Sequence, residues 1–266
     1  MKLAFLSLIC LALLFPLWLM VTNGFTPSQA FLRIPPRIIP QAFTLKNYRV
    51  IFRIPLLARW VGNSVVVVAA IVTAGVFVNG AAGYVFAFAP GKWVKVLFWA
   101  MMAPLFVTRL VLLISQFVIV GKLQLRGLPA VVAMSIYWPT GIFLFRNYFG
   151  SVPVSLLESA RLDGASEWTI FSRVVLPVCK PILGAATVFL GMGALGDYVW
   201  QMLNLQRKEL QTYLVGLMNT TIDVRVWNNV GYDLAVGTML FLPYLILFAA
   251  SSRYFIKGLT LGGIKE

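Results

Sequence analysis

Six stretches of this chain, at 3–21, 61–89, 94–119, 129–149, 181–203 and 232–256, are each predominantly apolar. About 20 such residues are what a helix needs to cross a bilayer's hydrocarbon. Nothing else in the sequence restricts the fold so tightly. Lipid offers no partner for a free N–H or C=O, so segments of this kind close their hydrogen bonds as helices. The expected fold is therefore an all-α integral membrane protein with six transmembrane helices, forming one domain over 1–266. The composition agrees: only 11% of residues are charged and the mean hydropathy is +0.88, whereas soluble domains carry about 25% charge. The first stretch follows Lys2 as a secretory signal would. It outruns a typical signal core and no Ala-x-Ala-like site follows, so it is read as an uncleaved span.

Between the spans lie segments of different character. The 22–60 segment contains Pro27, Pro35, Pro36, Pro40 and Pro55, which exclude one continuous helix. Its 45–53 portion mixes basic and apolar residues and suits a short interfacial helix. The loops at 90–95 and 121–128 are tight, and the 204–231 connection is long and polar. Trp93, Trp99, Trp138 and Trp227 fall near span ends, where aromatic belts form. The spacings Gly75 to Gly80 and Gly191 to Gly193 are expected to serve close helix packing.

Several chemistries are disfavoured together. There is no histidine, the usual metal ligand and neutral-pH proton carrier. Cys10 and Cys179 stand in unrelated contexts, so neither a disulfide framework nor a metal site is suggested. No phosphate-binding Gly-x-x-x-x-Gly-Lys-Ser/Thr loop and no Gly-x-Ser-x-Gly elbow occur. Redox, metal and hydrolytic chemistry lose ground together, and the expectation is a chain with no catalytic residues, no metal and no cofactor of its own. The net charge of +14 comes from scattered residues rather than a basic helix face. It is read as contact with lipid headgroups, not nucleic acid. Basic residues divide almost evenly between the two sides of a six-span topology, so charge does not fix the orientation.

One polar segment, 154–177, interrupts the apolar pattern and holds three of the eight acidic residues, Glu158, Asp163 and Glu167. It reads as two short helices with a break. Ser155 and Glu158 fit a Ser-x-x-Glu capping box. Gly164 is expected to end the first helix in a left-handed conformation. Ser166 can cap the second, with Glu167 near its positive end, and Pro177 bars simple continuation.

The spacing within this segment resembles the "EAA" loop of bacterial ABC importer permeases: Glu158-Ser159-Ala160, three residues, Gly164, nine residues, then Val174-x-Leu176-Pro177. Ser159 replaces an alanine and Val174 an isoleucine of the family pattern, both conservative in size. The Asp-Gly-Ala at 163–165, the 38–48 and 59–64 segments, and the tail from Arg253 to Lys265 are similar to the carbohydrate-uptake branch with its maltose-type permeases. The resemblance implies a type I ABC importer permease-like bundle in the bacterial cytoplasmic membrane. The 150–180 segment would be the cytoplasmic coupling loop, 22–60 would be extracytoplasmic, and both termini would be cytoplasmic. Glu158, Ser159, Ala160, Asp163, Gly164, Leu176 and Pro177 would couple to an ATPase. Gly258, Gly262, Gly263 and Lys265 in the tail would be further contacts. It also implies partners: a second, different permease subunit, two ATPase subunits holding ATP and Mg, and an extracellular solute-binding protein. The substrate would be an oligosaccharide or related sugar.

Inside the fifth span stands an acidic residue, Asp197, and a charge there is costly. Together with Trp200 it is a candidate for the substrate path, against a structural ion pair or a helix-end position. Arg109 could snorkel outward, which is the first expectation, pair with Asp197 or meet an anionic substrate. Asn79 and Gln116 could also line the path or join helices. Basic residues outnumber Glu209 and Asp223 on the outer side, which leaves an acidic sugar open. The alternatives are an EAA-type permease for a non-sugar solute, an ATP-independent secondary transporter and, weaker, a membrane enzyme. A secondary transporter would call for more intramembrane carboxylates or repeats.

Overall fold

A computed structural model of the chain describes residues 2–27, 43–222 and 229–261. In chain order the helices are α1 (Lys2–Gly24), α2 (Lys46–Phe52), α3 (Leu57–Phe88), α4 (Lys92–Met102), α5 (Arg109–Lys122), α6 (Leu128–Ser135), α7 (Pro139–Phe149), α8 (Val154–Leu162), α9 (Glu167–Thr169), α10 (Leu176–Val178), α11 (Lys180–Gly196), α12 (Tyr198–Asn204), α13 (Tyr213–Ile222) and α14 (Val230–Leu261). Among the described residues there is no strand. The fold is the all-helical membrane architecture that the apolar stretches call for.

Three unbroken helices are long and apolar enough to cross a bilayer: Phe5–Gly24, Leu57–Phe88 and Val230–Ala250. The other three apolar stretches are broken. The third, expected as one span over 94–119, is two helices meeting at 114°. Pro104 sits in a 3-10 turn, Ala103–Phe106, that tightens the end of α4; Val107 and Thr108 are then extended. The fourth stretch bends by 44° between α6 and α7. The fifth is preceded by an 85° bend, and that bend is not at Pro177. A π-helical stretch, Ile170–Val175, runs directly into α10, which accommodates Pro177 in its first turn. The chain turns instead at Cys179, just ahead of Pro181.

Two compact units divide the chain. One comprises Met1–Ser64 and Gln206–Leu245, the other Val65–Leu205 and Ile246–Glu266. In the first, Tyr48 and Ile51 of α2, Trp60 of α3, Tyr213 and Leu217 of α13, and Tyr232, Ala235 and Val236 of α14 form the core. The 45–53 segment is thus helical, but it buries Asn47, Tyr48 and Ile51 in protein rather than lying free on a surface. The start of α3 fixes the 206–213 connection, which includes a 3-10 turn at Lys208–Leu210, through its carbonyls. Trp60 donates its indole N–H to the Lys208 carbonyl at 2.7 Å, and Asn63 donates to the Glu209 and Gln211 carbonyls, both at 2.9 Å. Ser64 accepts from the Tyr213 N–H at 2.8 Å. Gly216 permits the tight fit, because a Cβ there would fall 2.2 Å from the Trp60 ring.

In the second unit, Tyr84 of α3, Phe145 and Phe149 of α7, Leu157 of α8, and Ile170, Phe171 and Val175 of the π-helical stretch share one core. Close packing holds at Gly75 and Gly191, where an added Cβ would approach Leu190 and Leu247 within 3.0 and 2.9 Å, but not at Gly193, which has no neighbour within 4 Å. Trp93 and Trp99 are exposed as belt residues would be. Trp138 instead sits at the α6–α7 break, and Trp227 lies outside the described residues.

Candidate functional site: an external elbow and an internal cavity

The elbow is α8, the turn at Gly164, and α9 with its π-helical continuation. No capping box forms. Pro153 takes the N-cap position, without a side-chain hydrogen bond, which puts Ser155 inside the helix. The Ser155 carbonyl there accepts from the Ser159 hydroxyl at 2.9 Å. At the other end the expectation holds: Gly164 has φ +79°. The Ala165 N–H reaches the Ala160 carbonyl and the Gly164 N–H the Arg161 carbonyl, both at 3.0 Å. This pair of bonds closes the helix end only if the residue after the cap is left-handed, which is why glycine follows Ala160 at that interval. Ser166 then caps α9, accepting from the Thr169 N–H at 3.3 Å.

Reversal at Gly164 brings Arg161 and Glu167 together at 2.8 Å. The second oxygen of Glu167 accepts from the Tyr84 hydroxyl on α3 at 2.5 Å. Glu167 is therefore more than a favourable charge at a helix start: it ties both arms of the elbow to a spanning helix. The Arg161 hydrogen bond, then that of Tyr84, holds its carboxyl below the ordinary value. Leu157 is fully packed beneath α8. Above it the elbow presents Glu158, Ser159, Asp163 and Gly164 to solvent, with Ala160 and Leu176 half-buried and Pro177 exposed. It also presents apolar surface that the sequence reading did not single out: Leu162 is 89% and Trp168 57% exposed. Their signal was available, since both are large apolar residues within a polar segment. In the tail, Gly258 lies in α14, while Gly262, Gly263 and Lys265 lie outside the described residues.

The second unit also contains a cavity of about 330 Å³ whose lining includes Arg109, Gln116 and Asp197. Arg109 does not simply snorkel: its guanidinium pairs with the Asp197 carboxylate. Each partner stands at a helix break, Arg109 as the first residue of α5 and Asp197 between α11 and α12. Asn79 and Trp200, weighed as path candidates against structural roles, are taken up in packing. Asn79 is fully buried and donates to the Gly75 and Ile136 carbonyls at 2.5 and 2.8 Å. Its oxygen accepts the Trp138 N–H at 3.0 Å. Asn79 therefore replaces the backbone bonds lost at the α6–α7 break. Trp200 is 1% exposed, with its indole N–H on the Val131 carbonyl at 3.4 Å. From the break that Asn79 holds, Tyr137 and Trp138 reach the cavity wall, where Trp138 packs on Phe189 with ring centroids 6.0 Å apart. Among the described residues no cluster of His, Cys, Asp or Glu could hold a metal.

Apolar helices, an exposed elbow and a largely apolar cavity holding one ion pair are the parts a membrane permease would need. Residues 71–259 match the family of binding-protein-dependent transport system inner membrane components, and the chain belongs to that family, the permeases of ABC importers. It is 32% identical over 255 residues to the arabinooligosaccharides transport system permease protein AraQ of Halalkalibacterium halodurans, covering 94% of this chain and 91% of that one. It is 29% identical over 267 residues to AraQ of Bacillus subtilis, covering 98% and 94%. A solved bacterial ABC transporter involved in the import of the acidic polysaccharide alginate shares the fold. There the TM-score is 0.81 at 20% identity, covering 96% of this chain and 95% of that one.

Proposed function

We propose that this chain is one of two permease subunits of an ABC importer for oligosaccharides, with alternating access driven by separate ATPase subunits through the 150–180 elbow. The observation that carries the reading is the elbow itself, a hydrogen-bonded turn that exposes Leu162 and Trp168 beside Glu158 and Asp163. Apolar surface rimmed by charge at the end of a bundle is what a docking partner covers. Leu157 and the Arg161–Glu167–Tyr84 link join that surface to the spanning helices, so a push on the elbow is transmitted rather than absorbed. Each partner ATPase would hold ATP and Mg; closure of the ATPase pair would move the elbow and switch the cavity between its two openings. The elbow, both termini and the tail would then face the cytoplasm and the 22–60 segment the outside, where a solute-binding protein delivers the sugar. Sugar as the substrate class rests on the relatives, two of which carry arabinooligosaccharide transport in their names.

Co-expression with a candidate ATPase and second permease, followed by pull-down and uptake assays, tests the proposal. Gly164→Pro abolishes the left-handed turn; the bundle is expected to insert while ATPase association and uptake are lost. Normal uptake by that variant would contradict the coupling role.

A further inference from the structure

We infer that Pro177 is a positioning residue for coupling: it imposes the π-turn at Ile170–Val175 and thereby fixes the register in which the elbow meets the spanning helices. The inference rests on the coupling reading proposed above and deepens it, giving Pro177 a part that needs no contact with the ATPase. Ordinary four-residue hydrogen bonds flank the turn, from the Ile170 N–H to the Ser166 carbonyl and from the Cys179 N–H to the Val175 carbonyl, both at 2.9 Å. Between them the Leu176 N–H reaches five residues back, to the Phe171 carbonyl. The path from Glu167 to Val178 therefore holds one residue more than a continuous α-helix would.

The side chains record the same insertion. Ile170 and Val175 are both fully buried in one core. At this separation in an α-helix they would point about 140° apart. The proline gives the cause. In an unbroken α-helix its ring would strike the Arg173 carbonyl and offer that carbonyl no N–H. A turn whose carbonyls aim five residues on spares the clash.

The extra residue matters because the chain is tied on both sides of it. Upstream, Glu167 accepts from the Tyr84 hydroxyl at 2.5 Å, and Trp168 meets Phe77 edge-on with ring centroids 5.8 Å apart. Phe77 and Tyr84 stand two turns apart on one face of α3. Downstream, Val175 and Cys179 are fully buried in a core with Phe145 and Phe149. Removing one residue between these ties would rotate Glu167 and Trp168 by about 100° relative to Val175 and Cys179. Both sides cannot then be seated together. The elbow leaves α3, and its movement no longer reaches that helix.

The test uses the complete transporter, co-expressed with a candidate ATPase, second permease and solute-binding protein and reconstituted in vesicles. Two quantities are read: tritiated arabinotriose imported per ATP hydrolysed, and amide hydrogen exchange over 154–169. Deleting Arg173, which belongs to the turn but not to its core, closes the turn to α register. Arg173→Ala removes the same side chain and keeps the extra residue. The deletion should sharply lower the import ratio while ATP hydrolysis continues, and Arg173→Ala should leave the ratio unchanged. Tyr84→Phe should reduce protection about tenfold in the wild-type background, the scale of a hydrogen bond lost from a charged acceptor. In the deletion background it should add nothing, because that bond is already gone. Pro177→Ala frees the chain to relax toward α register and should show the same non-additivity in smaller degree.

Normal coupling in the deletion variant would overturn the inference. So would an equal loss in Arg173→Ala, which assigns the effect to the side chain. A full, additive effect of Tyr84→Phe in the Pro177→Ala background would overturn it too, and this comparison decides the matter if the deletion variant does not assemble. A wild-type complex that binds no ATPase, or hydrolyses ATP without importing sugar, would instead overturn the coupling reading, and this inference with it.

Discussion

Asn79 and Gly164 show how differently single residues disclose themselves. Gly164 was legible: a glycine at the end of a polar helix has one common use, and its φ of +79° fulfils it. Gly164→Ala should cost about 1 kcal/mol, since an alanine at C′ must adopt the left-handed conformation. A thermal melt of the detergent-solubilised subunit would register the loss as a lowered midpoint. Asn79 was open, because a lone amide in an apolar helix looks the same whether it faces a path or joins a neighbouring helix. Here it satisfies the Ile136 carbonyl and the Trp138 N–H. Asn79→Leu leaves both buried and unpaired, and should destabilise by roughly 2–4 kcal/mol. Chemical denaturation followed by helical circular dichroism is the measurement.

Elements were legible where composition changes sharply and obscure where it does not. The polar elbow stood out against its surroundings. The 114° break between α4 and α5 did not, because a hydropathy average over a window reports how apolar a stretch is and nothing about its direction. Pro104 was the visible clue, but the turn it helps make opens several residues later, at Val107 and Thr108. Within the elbow, the Arg161–Glu167–Tyr84 link carries a pH dependence. The carboxyl of Glu167 is lowered in the folded state, so its stabilising contribution is complete above the ordinary glutamate range. That contribution fades as the pH falls through the lowered value. Amide hydrogen exchange over 154–169 should therefore be flat near neutrality and accelerate, beyond its intrinsic change, only in acid. Glu167→Gln keeps an acceptor for Tyr84 but removes the charge, and should remove that acid-dependent loosening.

At the scale of the molecule, six apolar stretches were enough to give the class of fold, while the two-unit organisation was not visible in them. It depends on which backbone groups are answered by distant side chains. The bareness of α1 was equally hidden: Phe5, Leu6, Leu8, Leu11 and Leu13 are all exposed by 60% or more. With lipid as their solvent, a Leu11→Arg change should cost about 2.5–3.5 kcal/mol of insertion, measurable by a glycosylation-based insertion assay. The clamp at the head of α3 has a temporal consequence. Trp60 finds its acceptor 148 residues later in the chain. During synthesis the indole and amide donors of Trp60 and Asn63 must therefore be satisfied by water or by the insertion machinery until 208–213 emerges from the ribosome. A nascent chain arrested before Gln206 should display this stretch as an open, protease-sensitive end, and completion of the segment from Gln206 onward should close it in one step.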